Sequence, residues 1–378
     1  MHELISAPFL NHYYVLRPGS ATGLKVPAHR YLELQQTVLD TATPIPDWLI
    51  RPASKQWGID LAGRTAADTL LVRAPGRYDL GRASVELNMF CNWRCPHCYL
   101  GEKEDAAKPW EQEQQILATL RDAGVVWLQI TGGEPTVATN FPAYYSHAFE
   151  LGMMIEVLTN GSRLSHPLIL SLFKKLPPYR LVLSLYGATE ATYTKVTNNP
   201  TAWKTFRTGV EAALAAGLPV ELSIIVTRDN EHEIDAMYDL ARSWGTRTRE
   251  YNNMTPTYFG TGETLSAQAL TRGHDPRSVF TGCDAGHTSL HVDPQGMASI
   301  CKVARDHQVP LLEEGLDGLT RLGGIADRAL LRQGGCTGCQ LTGKCTTCMP
   351  LAQRYRQAAA PLGSYCQHTE KGKEVSAS

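Results

Sequence analysis

From residue 84 onward the chain alternates between two hydrophobic periodicities. Ser84-Val85-Glu86-Leu87-Asn88-Met89-Phe90 largely switches between polar and apolar from one residue to the next, the repeat of a strand with one buried face. Residues 110–123 place apolar side chains three and four apart and stop at Gly124, as a helix closed by a C-terminal glycine does. The alternation recurs as strands over 125–131, 154–159, 180–185 and 219–226, each followed by a helix, over 141–151, 167–176, 203–216 and 234–244 respectively. Residues 249–254 make a sixth strand. Strand-helix units of this length predict a parallel sheet, because each crossover lays a helix on an outer face. The expected class is α/β, a partial (β/α)6 TIM-like barrel over residues 81–262, with its chemistry at the carboxyl ends of the strands.

Residues 1–80 read differently. A strand over 13–16, a turn at Pro18-Gly19, an extended piece over 24–26, a helix over 30–39 and a second helix over 61–72 predict a small N-terminal α+β module. Residues 263–368 form a cysteine-rich C-terminal region, and residues 369–378 a polar tail.

Composition narrows the possibilities. A chain of 378 residues exceeds one ordinary core, and 43% hydrophobic with 19% charged residues describes a globular protein. No apolar run approaches the roughly 18 residues of a membrane span, and residues 1–20 lack a basic start followed by an apolar stretch. The expectation is a cytoplasmic protein with no membrane partner. With 36 basic and 37 acidic side chains, the bulk charge gives no reason to expect nucleic acid.

The ten cysteines are grouped: three lie in Cys91-Asn92-Trp93-Arg94-Cys95-Pro96-His97-Cys98, the other seven between 283 and 366. In a reducing compartment such groups point to metal ligands over disulfides. Three thiolates leave one position open on a four-iron cluster, as catalytic metal sites do. On spacing alone, an iron-sulfur cluster, a zinc site and buried structural thiols all remain open.

The distinctive loops each follow a strand: Cys91 the first, Thr131-Gly132-Gly133-Glu134-Pro135-Thr136 the second, Thr159-Asn160-Gly161 the third, while Ser184-Leu185-Tyr186-Gly187 closes the fourth. Paired glycines let the backbone approach a ligand, Pro135 fixes the turn, and Glu134 offers a carboxylate to an ammonium group. CxxxCxxC after a first strand, with Gly-Gly-Glu-Pro one unit later, resembles the radical S-adenosylmethionine enzymes. The resemblance implies a 4Fe-4S cluster on Cys91, Cys95 and Cys98 whose open iron chelates S-adenosylmethionine. It implies that Gly132, Gly133, Glu134 and Pro135 contact the cofactor's amino group, that Asn160 and Ser184 reach its ribose or carboxylate, and that His97 packs on its adenine. Reductive cleavage to a 5′-deoxyadenosyl radical, fed by an external one-electron donor such as flavodoxin or ferredoxin, is the chemistry implied.

Downstream, Cys283-x12-Gly296-x4-Cys301, Cys336-x2-Cys339-x5-Cys345-x2-Cys348 and Cys366 resemble the SPASM extension of enzymes that mature peptides, in which seven thiolates build two auxiliary 4Fe-4S clusters. Three clusters in all are implied. Two residues separate Cys345 from Cys348 where the family usually has three, which leaves the ligand set there open. The resemblance covers residues 84–366. It implies a peptide or protein substrate, modified by cross-linking, thioether formation, oxidation or epimerisation. Tyr186 replaces the aspartate of the Ser-Leu-Asp-Gly found in sulfatase-maturing members. The N-terminal module is then either a winged-helix-like element that recognises a leader peptide or a cap over the barrel mouth. A small sugar or amine substrate, and a non-catalytic iron-sulfur or zinc scaffold, are the alternatives.

Overall fold

The computed structural model describes residues 2–101, 108–269, 282–341, 345 and 347–366; the tail expected over 369–378 lies outside them. The N-terminal module is a four-stranded sheet in the order β3-β2-β1-β4, built from β1 (Leu4–Phe9), β2 (His12–Leu16), β3 (Gly23–Val26) and β4 (Leu70–Val72). Helices α1 (Ala28–Thr37), α2 (Asp47–Trp57) and α3 (Ala66–Thr69) connect β3 to β4. A core of Leu4, Val15, Tyr31, Leu34, Leu49 and Leu61 joins sheet and helices.

Three elements here were not expected, β1, α2 and β4, and the first two contain proline. In β1, Pro8 is paired with Tyr13 of β2, but the parallel pairing with β4 spans only Leu4–Ser6, so the missing N–H lies beyond the β4 ladder. In α2, Pro52 interrupts a helix that starts after Pro46 and ends on Gly58 at φ +67°, with Leu49 and Ala53 buried. The helix expected over 61–72 is corrected to the four residues of α3. Leu70–Val72 then turns extended and pairs in parallel with β1, because sheet pairing outweighs the modest helix propensity of this stretch.

The barrel strands are β5 (Arg82–Glu86), β6 (Trp127–Thr131), β7 (Met154–Thr159), β8 (Arg180–Leu185), β9 (Val220–Ile225) and β10 (Arg247–Tyr251). All are parallel and adjacent in chain order. Helices α4 (Trp110–Asp122), α5 (Phe141–Glu150), α6 (Pro167–Lys175), α7 (Glu190–Thr197), α8 (Ala202–Ala215) and α9 (Ile234–Ser243) form the crossovers. Side chains alternate along each strand. Val85, Ile130, Val157, Leu183 and Ile224 enter the main core, while the intervening positions line the concave side.

The C-terminal region joins the sheet at the opposite edge from β10. Strand β11 (Ser289–Val292) pairs in parallel with β5, and β12 (Met297–Ser299) and β13 (Val309–Pro310) continue antiparallel. Helices α10 (Leu311–Leu319), α11 (Arg321–Leu330) and α12 (Met349–Gln357) complete it. Its cysteines therefore approach from the β5 side, the strand that leads into Cys91.

The N-terminal module packs at the other end of the barrel. Ile5, Ala7 and Leu16 share a cluster with Val126 and Met154 at the amino ends of β6 and β7, and Phe9 meets Trp127 edge-on at 4.5 Å. The buried Arg73 donates to the Val125, Gly152 and Arg121 carbonyls. This end lies away from Cys91, which corrects the barrel-cap alternative: the module does not cover the mouth.

Candidate active site

The cysteine loop is fastened to the barrel by its own backbone. Beyond the end of β5 the ladder with β6 continues: the N–H of Leu87 donates to Thr131 O, that of Gly133 to Asn88 O and that of Glu134 to Phe90 O, each at 2.9 Å. A Cβ at Gly132 would lie 2.3 Å from Asn88 O, and one at Gly133 2.1 Å from Phe90 O. Both glycines are thus required by a close backbone approach. The partner is the segment leading into Cys91.

Glu134 ties two strand ends together. Its carboxylate is fully buried and accepts four hydrogen bonds: from Thr136 N at 3.0 Å, the Thr136 hydroxyl, the Thr159 hydroxyl at 2.7 Å and Asn160 N at 2.6 Å. Three of these converge on Oε1 and one reaches Oε2, so Oε2 keeps acceptor capacity. Burial raises its pKa, and the four donors pull the other way. Glu134 is a strut tying the β6 loop to the end of β7. Pro135 opens the turn Pro135–Val137 that Glu134 caps.

What that strut holds faces the thiols. Asn160 Nδ2 lies 3.8 Å from Cys91 Sγ and 2.9 Å from Asn92 Oδ1. Across the loop, Tyr186 follows β8; its ring lies 5.1 Å from that of His97 and 6.3 Å from that of the buried Trp93. Burial, then the nearby Cys95, push the Tyr186 phenol well above its ordinary pKa; Cys98 and Cys91 add to this and a hydrogen bond with Ser184 opposes it. Tyr186 therefore adjoins all three cysteines as a neutral phenol. Sequence reasoning used it only to separate subclasses; its position one residue past Ser-Leu at a strand end was the available signal. His97 and Ser184 both sit beside it.

The thiols share a local device. The N–H two residues on points at the sulfur in Trp93→Cys91, Ala285→Cys283 and Leu341→Cys339, each at 3.4 Å. Cys301 takes N–H bonds from Val303 and Ala304, and Cys348 from Leu351. Burial raises both of these thiols, and the nearby Cys283 adds to the rise at Cys301, as Cys301 and Cys283 do at Cys348. Cys336, Cys339, Cys345 and Cys366 make up the rest, and all ten are free of disulfides. N–H groups aimed at sulfur stabilise thiolate and tune cluster potentials, so the donor set fits iron-sulfur ligation.

The concave side of the sheet is charged, which sequence reasoning missed. Arg180 donates to Glu156 at 2.6 Å and Glu221 at 2.9 Å, Gln129 bridges to Glu156, and Lys302 from the C-terminal region donates to Gln129 at 2.8 Å. Burial lowers the Lys302 pKa to about 8. Higher up, Glu86 is buried against Arg305, Tyr99 and His291. The signal was present at Glu156 and Glu221, which interrupt largely apolar strands, while Glu86 falls in the polar phase of an alternating one.

A parallel half-barrel with three thiols at the carboxyl end of its first strand defines the class. Residues 85–241 match the model of the Radical SAM superfamily, and this stretch is a radical S-adenosylmethionine domain, which implies a 4Fe-4S cluster and S-adenosylmethionine. The chain is similar to the PqqA peptide cyclase of Streptomyces rochei, 29% identical over 251 residues that make up 58% of this chain and 68% of that protein. It is also similar to the mycofactocin maturase MftC of Mycobacterium tuberculosis, 26% identical over 47% of this chain and 45% of that one. Among solved structures, Streptococcus suis SuiB bound to its precursor peptide SuiA shares the fold, with a TM-score of 0.59 at 14% identity over 97% of this chain and 98% of that one. Among the described residues, no helix is long and apolar enough to cross a membrane.

Proposed function

We propose that this chain is a radical S-adenosylmethionine enzyme that abstracts hydrogen from a side chain of a peptide or protein. The observation that carries this reading is the fastening of residues 87–90, which lead into Cys91, to the 131–134 loop at the barrel mouth, with Cys283 and Cys301 flanking the strands that β11 adds beside β5. When bound, the cluster and S-adenosylmethionine supply the reducing electron and the radical that the chemistry needs. The chain's own residues do the rest. Cys91, Cys95 and Cys98 hold the cluster, Asn160 and Tyr186 wall it, and Ser184 fixes the phenol. The charged concave side orients the substrate by hydrogen bonds that the Arg180 and Lys302 links keep in place.

In this reading residues 81–262 perform cofactor cleavage, and 263–368 carry two auxiliary clusters. Cys283, Cys301 and Cys348 belong to one, and Cys336, Cys339, Cys345 and Cys366 to the other. Residues 1–80 bind the leader part of the substrate. Two of the named relatives and neighbours act on or bind peptides by name, and the SuiB likeness extends across the N-terminal module. Since β3 is an edge strand of its sheet, an extended leader can add to it. Electrons enter from a flavodoxin- or ferredoxin-like donor.

The test is to incubate the anaerobically reconstituted protein with S-adenosylmethionine, a reductant and the short peptides encoded beside its gene. Peptide mass and 5′-deoxyadenosine are followed together. A changed peptide mass that requires all components supports the reading. Cofactor cleavage with every candidate peptide unaltered, and with a sugar or amine consumed instead, returns the small-metabolite alternative.

A further inference from the structure

We propose that Arg305 is a positioning residue that couples the Cys91–Cys98 loop to the turn holding Cys301, through a closed circuit of Arg305, Glu86, Tyr99 and Tyr258. It rests on reading these cysteines as cluster ligands, and is independent of what the substrate is.

Arg305 grips Glu86 with two bonds, Nη1 to Oε2 at 2.9 Å and Nη2 to Oε1 at 2.7 Å. The two side chains are 3% and 0% exposed. Glu86 Oε1 also accepts from the hydroxyl of Tyr99, the residue after Cys98, at 2.7 Å. The carbonyl of Tyr99 accepts from the N–H of Tyr258 at 3.0 Å, and the Tyr258 ring lies 4.7 Å from the Arg305 guanidinium carbon. Tyr99 is thus held at both its side chain and its backbone, and both holds lead back to Arg305.

The other hand of Arg305 is on the C-terminal region. Its Nε donates to Lys302 O at 2.8 Å, closing the turn whose Val303 and Ala304 N–H groups point at Cys301. Arg354, on the helix that follows Cys348, donates to Val303 O at 2.9 Å and pairs with Asp306. One side chain therefore contacts both the turn that cradles Cys301 and the carboxylate that anchors the residue beside Cys98. A buried ion pair adds little net stability over an apolar packing of equal volume. Its retention across two domains is accounted for by what it positions.

Tests use the full reconstituted chain. Tyr99→Phe deletes one link without touching charge, and the double variant Glu86→Gln with Arg305→Met removes the pair without leaving either charge buried alone. Two readouts need no substrate: hydrogen exchange of amides 97–101, and the change in the electron paramagnetic resonance spectrum on adding S-adenosylmethionine, which reports the site with the open iron. In variants whose melting temperature matches the parent, exchange should quicken at least about tenfold and cofactor affinity fall by a comparable factor. Parent-like exchange and spectrum in the folded double variant would overturn the coupling and leave a staple of the fold. If the double variant does not fold, Tyr99→Phe decides on the same readouts, and unchanged exchange in it overturns the proposal.

Discussion

Two stretches of this chain present cysteines, and they are held in opposite ways. The loop around Cys91 makes bonds far along the chain: with 131–134 through the extended β5–β6 ladder, from Arg94 N–H to Thr197 O, from Asn199 to Asn92 O and from Tyr258 N–H to Tyr99 O. The backbone bonds described within 333–345 stay local, Cys336 to Gln333, Thr337 to Gly334, Cys339 to Cys336 and Cys345 to Leu341. A loop fixed by long-range partners is formed by the fold before any cofactor binds. A stretch whose described backbone bonds stay local takes much of its definition from what its thiols bind, since metal-binding energy there is folding energy.

The strongest way to break this contrast is at the first site. Replacing Cys91, Cys95 and Cys98 with Ala should abolish formation of 5′-deoxyadenosine and reduce bound iron from about twelve to about eight per chain. The melting temperature should hardly move, because the loop's fastening uses backbone groups. Iron analysis, cofactor cleavage and calorimetry on one preparation check all three. A variant that unfolds would show that the cluster, and not the barrel, shapes the loop.

Removing all iron with a chelator under reducing conditions should have the next largest effect, and an uneven one. Cleavage by a protease should accelerate by about tenfold or more within 333–348 while 84–101 keeps its protection, because only the former loses the binding energy that orders it. Equal loss of protection in both stretches would erase the distinction.

The same contrast sets what could be read from the sequence. The six parallel strands and most of their helices were legible, because alternating and helical periodicities follow directly from burial. So was the placement of every distinctive loop at a strand end. The protein partners of Gly132, Gly133 and Glu134 were not. The sequence shows that a glycine permits a close approach and that a carboxylate accepts hydrogen bonds; it does not show that the approaching group is the backbone of 88–90 or that the donors are Thr136, Thr159 and Asn160. These partners are separated by up to 46 positions in the case of Asn88 and Glu134, and only the register of β5, β6 and β7 brings them together. Glu86 and Arg305 are 219 apart, and nothing local to either marks the other. The second helix of the N-terminal module escaped notice for a different reason: Pro46 falls at the N-cap, where no intrahelical N–H is needed, but Pro52 lies inside the helix and argues against it locally, so the burial of Leu49 and Ala53 has to outweigh its cost.

Glu134→Gln sharpens the comparison at smaller cost. An amide places an NH2 group where the carboxylate accepted only donors, so at least one of Thr136, Thr159 and Asn160 loses its acceptor in a buried site. The expected destabilisation is about 1–3 kcal/mol, a fall of a few degrees in melting temperature per kcal/mol for a domain of this size. Iron retention at the first site and cofactor affinity should fall with it. A clamp on the cofactor's amino group would behave differently, with affinity lost and stability intact, and that outcome would assign the side chain to the ligand.

Tyr186→Phe should give the smallest effect, and its sign can be worked out. Burial, then the neighbouring Cys95, push the phenol well above its ordinary value of 10.0, so it stays neutral wherever the protein is folded. A Tyr that ionised near neutrality would bring a negative charge beside the thiolates, and the cleavage rate would fall on the alkaline side. With the pKa raised, Tyr186 contributes no such limb below about pH 10. The Phe variant keeps the ring against His97 and Trp93 and loses only the bond to Ser184, worth about 1 kcal/mol. Its pH profile for 5′-deoxyadenosine formation should therefore run parallel to that of the parent, with a rate lower by about fivefold at most. If the substitution instead removed an alkaline decline present in the parent, Tyr186 would be ionising beside the cluster site, and the enclosed, low-dielectric wall inferred for the first site would not hold.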